Sequence, residues 1–268
     1  MKFKKIIAVL MAVMCFSAVS CGKSEENEKK EETTTTTQAT TTTEAVKEEE
    51  PIVVEKIEYE IDPAKPVIAL TFDDGPNTTT TKQVLEVLEK YKVKASFFVI
   101  GDNINDESGK VMKMAYDYGH EINNHSKTHS YMTEMTEDEI KAEIEYVDGL
   151  VEKFTGEKTK FFRPPYIAVN TKVHDSIDIP FICGVGCNDW DPKVDVATRV
   201  SETIKQVKDG TIILLHDAEG NSQTVEALDQ IIPQLLDEGY QFGTVSELFE
   251  AKGVTVHPLD TKMFTYVE

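Results

Sequence analysis

Positive charge is scarce in this 268-residue chain: 28 Lys and Arg stand against 48 Asp and Glu, a formal net charge of -20. Proteins that grip nucleic acid neutralise phosphates with basic patches, so nucleic acid is excluded as a partner; a neutral glycan is not. Long apolar runs are also scarce. The single extended one, residues 6–19, is shorter than a permanent membrane span requires. Cysteine is nearly absent beyond residue 21, where only Cys183 and Cys187 remain. On one strand, four residues at about 3.3 Å each would hold these two about 13 Å apart. That exceeds the reach of a disulfide, so they read as free thiols packed as small apolar side chains. No internal repeat is visible.

The N-terminal zones are compositional. Lys2, Lys4 and Lys5 precede the apolar run, which makes residues 1–20 a signal peptide. The run breaks at Ser20, Cys21 and Gly22, a pattern similar to a bacterial lipoprotein signal, in which Cys21 is the lipid-attachment site. The other reading is an ordinary cleaved signal with Cys21 incidental. Residues 21–54 are rich in Thr and Glu and have almost nothing to bury, so they read as a disordered spacer. The expected location is the extracellular face of the cell membrane, lipid-anchored, or the medium if Cys21 is not lipidated. Residues 55–268 have the length of a single domain.

Within that domain, short apolar runs alternate with helical periodicity. Strands are expected at residues 67–72, 95–100, 121–123, 181–185, 211–215 and 241–243. Helices are expected at 78–91, 111–118, 194–207 and 224–236, with a short one from Val245. Thr136 and Glu139 form a capping box opening a further helix. Its stripe, Ile140, Ile144, Val147, Val151 and Phe154, steps by four, three, four and three before Gly156 closes it. Apolar strands alternating with helices indicate an α/β fold with a mostly parallel sheet. An open doubly wound sheet and a closed barrel both fit. Either one puts functional groups at the carboxyl ends of the strands.

The chemistry-bearing residues fall at those ends. Asp73 and Asp74 end the first strand, and two adjacent carboxylates there would repel unless a cation neutralises one. Gly75 and Pro76 behind them are also strong turn residues. His125 and His129 follow the third strand, and a spacing of four lets two imidazoles face one way on a helical turn. With Asp74 they make three ligands of a kind that suits zinc with one position open. His120, ahead of that strand, reads as a structural histidine. Arg163 precedes Pro164, Pro165 and Tyr166, and a guanidinium buried there needs a carboxylate partner. His216 sits at the tip of another apolar strand.

These residues resemble the motifs of the polysaccharide deacetylase family, carbohydrate esterase family 4. The resemblance runs over roughly residues 65–250. It rests on Thr71-Phe72-Asp73-Asp74-Gly75-Pro76, His125-Ser126-Lys127-Thr128-His129, Arg163-Pro164-Pro165-Tyr166, Asp189-Trp190 and Leu214-Leu215-His216, in family order. It implies a distorted (β/α) barrel as a single catalytic domain. It implies Asp73 as general base, and Asp74, His125 and His129 as ligands of a divalent metal, commonly zinc. Arg163 would position Asp73, Asp189 would orient His216 as general acid, and the Tyr166 amide would meet the oxyanion. Trp190 and Leu214 would line the acetyl pocket. The implied partner is an acetylated polysaccharide, first of all the N-acetylglucosamine of peptidoglycan, with chitooligosaccharides and acetylxylan as alternatives, acted on by a monomer. A non-catalytic glycan-binding lipoprotein is the competing class, against which no catalytic residue is missing. Two positions depart from the family: Gly186 stands where an Asp is frequent, and Ile167 where Gly is common, although β-branching disfavours positive φ.

Overall fold

The computed structural model describes residues 55–257 and 262–268. The signal peptide, Cys21 and the spacer expected at the N-terminus lie outside the described residues.

The fold is built on β1 (Val67–Asp73), all seven of whose residues are buried. Around it lie β2 (Ser96–Val99), β3 (Glu121–Asn124), β4 (Phe181–Ile182), β5 (Ile212–His216), β6 (Gln241–Gly243) and β7 (Met263–Phe264). All ladders between them are parallel. One sheet runs β3-β2-β1-β5. β5 follows one edge of β1 from Ala69 to Asp73, while β2 and β6 divide the other edge between them.

The barrel closes through single-residue bridges. Asn124 pairs with Phe162, Phe162 with Phe181, and Val185 with Ile213, joining β3 to β4 and β4 to β5. The strand expected over residues 181–185 is therefore regular only at Phe181–Ile182. Beyond it a Cβ on Gly184 would lie 2.7 Å from Leu214 Cβ, so the backbones meet where no side chain fits. This is the distorted barrel that the family resemblance implied.

Helices α1 (Thr80–Tyr91), α2 (Asp106–Asp117), α3 (Glu137–Thr155), α4 (Thr171–Ser176), α5 (Val196–Gln206), α6 (Ser222–Asp237) and α7 (Val245–Ala251) cover the strands. α3 opens on the expected box: Glu139 N–H donates to Thr136 Oγ1, and Glu139 Oε2 accepts from Thr136 N–H. It buries Ile140, Ile144, Val147 and Val151. α2 starts five residues earlier than periodicity suggested, because Asn105 caps Glu107 and Ser108 ahead of the apolar stripe. α4 and β7 were not expected; each is too short to carry a period. Cys183 and Cys187 are free thiols.

Candidate active site

β1 delivers two carboxylates to one cleft. Successive residues of a strand face opposite ways. Asp74 breaks that alternation with a left-handed backbone, φ 77°, so Asp73 and Asp74 both line a cavity of about 590 Å³. Asn103 donates to the Asp74 carbonyl at 2.8 Å and holds the turn.

His125 leaves β3 with its ring already oriented. Its Nδ1–H donates to the Arg163 carbonyl at 2.7 Å, which leaves the Nε2 lone pair bare. His129 does not reach the same place on a helical turn, as its spacing suggested. Ser126 and His129 are left-handed, φ 67° and 54°, in a loop tied by His129 N–H to Ser126 Oγ at 3.1 Å. Glu143 of α3 anchors the middle of that loop by accepting from the Thr128 N–H and hydroxyl.

Asp74 Oδ1 lies 3.5 Å from Nε2 of both His125 and His129. It is a buried oxygen with no hydrogen-bond partner, and the three donor atoms lie within 4.8 Å of one another. Ligands about 2.0–2.1 Å from a tetrahedral zinc stand about 3.3 Å apart, so the set fits a divalent cation. Burial alone would raise the Asp74 carboxyl, but His125, His216 and His129 outweigh it and hold the group below its ordinary value. Burial, helped by His125, lowers His129, which favours the neutral imidazole a metal binds.

Beside the triad, Asp73 is buried against a fully buried arginine. Arg163 Nη1 donates to Asp73 Oδ1 at 2.5 Å and Nη2 donates to the Cys183 carbonyl at 2.7 Å, with the guanidinium 4.1 Å over the Phe98 ring. Asp73 Oδ2 stands 3.7 Å from His125 Nε2.

His216, the last residue of β5, meets Asp189 twice. Asp189 Oδ1 takes the ring Nδ1 and Oδ2 takes the backbone N–H, both at 2.8 Å. Burial alone would lower the histidine; the Asp189 hydrogen bond and charge, with Asp73 and Asp74, overcome it and push His216 up to about 9. Asp189 Oδ2 also accepts from Thr224 Oγ1, and Arg199 Nη1 donates to both Thr224 and Asn221. Sequence reasoning missed this support. Its signal was present: Arg199 falls on the buried stripe of α5 beside Val200 and Thr203. Asp217 was missed as well. It lies under Gly75, where a Cβ would collide with its carboxylate, and burial pushes its acid up to about 7.

The remaining expected residues also gather here. Tyr166 and Ile167 are both left-handed, φ 58° and 53°. Each such residue costs about 1–2 kcal/mol. Ile167 takes that conformation despite its branched side chain, because its N–H donates to Pro164 and that of Ala168 to Pro165. Leu214, Gly186 and Trp190 line the cavity, but Trp190 is 62 % exposed and forms rim, not floor. His120 stays apart. It is buried in the core, its Nδ1 accepts from the Ala95 N–H, and burial pushes it down to about 3.

Metal-type donors, a carboxylate–arginine pair and a histidine–carboxylate pair at the carboxyl rim of a parallel barrel define the class of barrel enzymes whose chemistry sits on strand ends. The polysaccharide deacetylase family model matches residues 60–178. A peptidoglycan-N-acetylglucosamine deacetylase of Bacillus cereus is 36% identical over 205 residues, covering 73% of this chain and 94% of that protein. The chain belongs to the polysaccharide deacetylase family. It is 50% identical over 188 residues to a bifunctional xylanase/deacetylase of Pseudobutyrivibrio xylanivorans, covering 70% of this chain but only 31% of that longer protein. Among solved structures, a family 4 acetyl xylan esterase from Clostridium thermocellum, in complex with a cobalt ion, superposes with a TM-score of 0.73 at 42% identity. It covers 75% of this chain and 98% of that one.

Proposed function

We propose that this protein hydrolyses acetyl groups from a polysaccharide with a divalent metal at Asp74, His125 and His129, zinc being the ion that two imidazoles and one carboxylate suit. The observation that carries the reading is the unpartnered Asp74 Oδ1 between two histidine nitrogens, in one cavity with Asp73 and His216. A cation held there supplies Lewis-acid polarisation of the acetyl carbonyl and acidifies a water.

The protein's own groups supply the proton traffic. Arg163 occupies one oxygen of Asp73, and the carboxylate accepts a proton from water as its oxygen bonds to the acetyl carbon. The Tyr166 amide stabilises the oxyanion. His216, charged at neutral pH, passes its proton to the sugar nitrogen or oxygen as that bond breaks, releasing acetate. Asp189 holds the imidazole in the tautomer this transfer needs.

No lysine or arginine among the described residues lines the cavity, which suits an uncharged acetylated sugar. Two substrates have specific support. The esters of acetylated xylan are favoured by relatives of 50% and 42% identity whose names refer to xylan. N-acetylglucosamine of peptidoglycan is favoured by the Bacillus cereus relative, which the match covers over 94% of its length. A monomer tethered outside the membrane through Cys21 and the residue 21–54 spacer would meet wall glycan directly.

The test is acetate release from acetylated xylan, chitooligosaccharides and peptidoglycan, with and without chelator. Release should stop with chelator and return with Zn²⁺. Chelator-resistant release from a protein that elemental analysis finds metal-free would overturn the reading.

A further inference from the structure

We propose that Tyr131, stacked on Tyr166 outside the catalytic cavity, is a specificity-determining residue whose ring carries the sugar next to the one being deacetylated. This rests on the glycan reading above and extends it to a residue that belongs to none of the five motifs.

Three observations converge. Tyr166 lines the cavity and sets its ring edge-on to His129, with centroids 4.7 Å apart. Tyr131 stacks on Tyr166 at 4.1 Å and 17° but does not line the cavity. The two rings therefore continue the aromatic surface outward from a metal-type ligand. Both are more than half exposed, at 51 % and 54 %. A single exposed aromatic needs no explanation, but two stacked rings held in water beside a cavity do.

Tyr131 is also held in place. The next residue, Met132, is 1 % exposed and packs in one core cluster with Ile140, Phe162 and Val173. Asn170 and Lys172, from the start of α4, donate to the carbonyls of Thr133 and Met135. The loop thus presents a pre-ordered ring, which removes the entropy cost of ordering it on binding.

The chemistry of the occupant follows. The face of an aromatic ring carries partial negative charge. It attracts the C–H groups on the face of a pyranose and gives nothing to an anion. A cavity of about 590 Å³ encloses only a short stretch of glycan, so a polysaccharide must leave it across the rim. The class of ligand is an uncharged oligosaccharide longer than the sugar in the cavity.

The experiment compares Tyr131→Ala and Tyr131→Phe with the parent protein. Hydrolysis of 4-nitrophenyl acetate, which fills the acetyl site alone, is measured beside acetate release from acetylated xylo-oligosaccharides and chitooligosaccharides of two to six units. Binding of the hexamers to chelator-treated protein is measured separately. Tyr131→Ala should raise KM for hexamers about three- to tenfold with kcat little changed. It should leave 4-nitrophenyl acetate untouched and weaken hexamer binding by the same factor, while Tyr131→Phe keeps all three. Equal losses on the small ester and the hexamer would mean a disturbed active site and would overturn the proposal, as would unchanged hexamer binding. Hexamers that bind through Tyr131 but release no acetate would sink the deacetylase reading and leave the sugar contact at Tyr131 standing.

Discussion

At the scale of single residues, the site depends on buried charges held by specific partners, Arg163 on Asp73 and Asp189 on His216. Asp189 has the widest effect, because both its oxygens hold His216 and burial opposes them. The charged imidazole persists as pH rises until about 9, above the ordinary 6.5, because the carboxylate stabilises the cation. In Asp189→Asn that support is gone and burial pulls the other way, with only the charges of Asp73 and Asp74 left to oppose it, so the histidine should lose its proton at lower pH than in the parent. The alkaline limb of kcat/KM should therefore move to lower pH, and acetate release at pH 8 should fall about 10²- to 10⁴-fold. A pH–rate profile measures both, and an unmoved limb would take His216 out of the acid role.

Elements matter here through their ends and through one close approach. β1, β3 and β5 each stop where a functional side chain emerges, and left-handed residues aim two of the three metal-type donors, Asp74 and His129. The approach is at Gly184, where the stretch beyond β4 meets β5 and a Cβ would lie 2.7 Å from Leu214 Cβ and 3.1 Å from the Ile212 carbonyl. Neither is the end of a flexible chain, so Gly184→Ala should force the bridge between Val185 and Ile213 apart. Overpacking of this kind costs about 1–3 kcal/mol. Thermal melting should show a lowered Tm. Acetate release should fall further than stability explains, because Leu214 lines the cavity and Cys183 holds Arg163. An unchanged Tm would mean that the barrel tolerates a wider gap there.

At the scale of the whole molecule, the proposed tether sets where the barrel works. In that proposal residues 1–54 supply a leader, an attachment cysteine and a spacer; among the described residues no helix is long and apolar enough to cross a membrane. Cys21→Ala should move the protein from the membrane fraction to the medium, or leave it as unprocessed precursor. Fractionation with mass spectrometry of the mature N-terminus decides it; a lipid-free parent N-terminus refutes the anchor. The excess of acidic over basic residues also bears on substrate. A glycan bearing many carboxylates would be repelled by that net charge, whereas uncharged acetylated xylose or N-acetylglucosamine units would not.

What the sequence by itself determined was whatever lies close along the chain. Asp73 beside Asp74, the pair His125 and His129, the stripe of α3 and its capping box are local, and a period or a spacing suffices to read them. Family likeness added the pairings of Arg163 with Asp73 and of Asp189 with His216, which lie 90 and 27 residues apart. Only the tertiary structure decided the rest. Closure of the barrel rests on single-residue bridges at Asn124, Phe162, Phe181, Val185 and Ile213, and a bridge one residue long has no period to detect. The support of Asp189 by Arg199 and Thr224, the place of Asp217 under Gly75, and the stacking of Tyr131 on Tyr166 have the same origin. Each joins residues that packing alone brings together, and packing is a property of the folded whole.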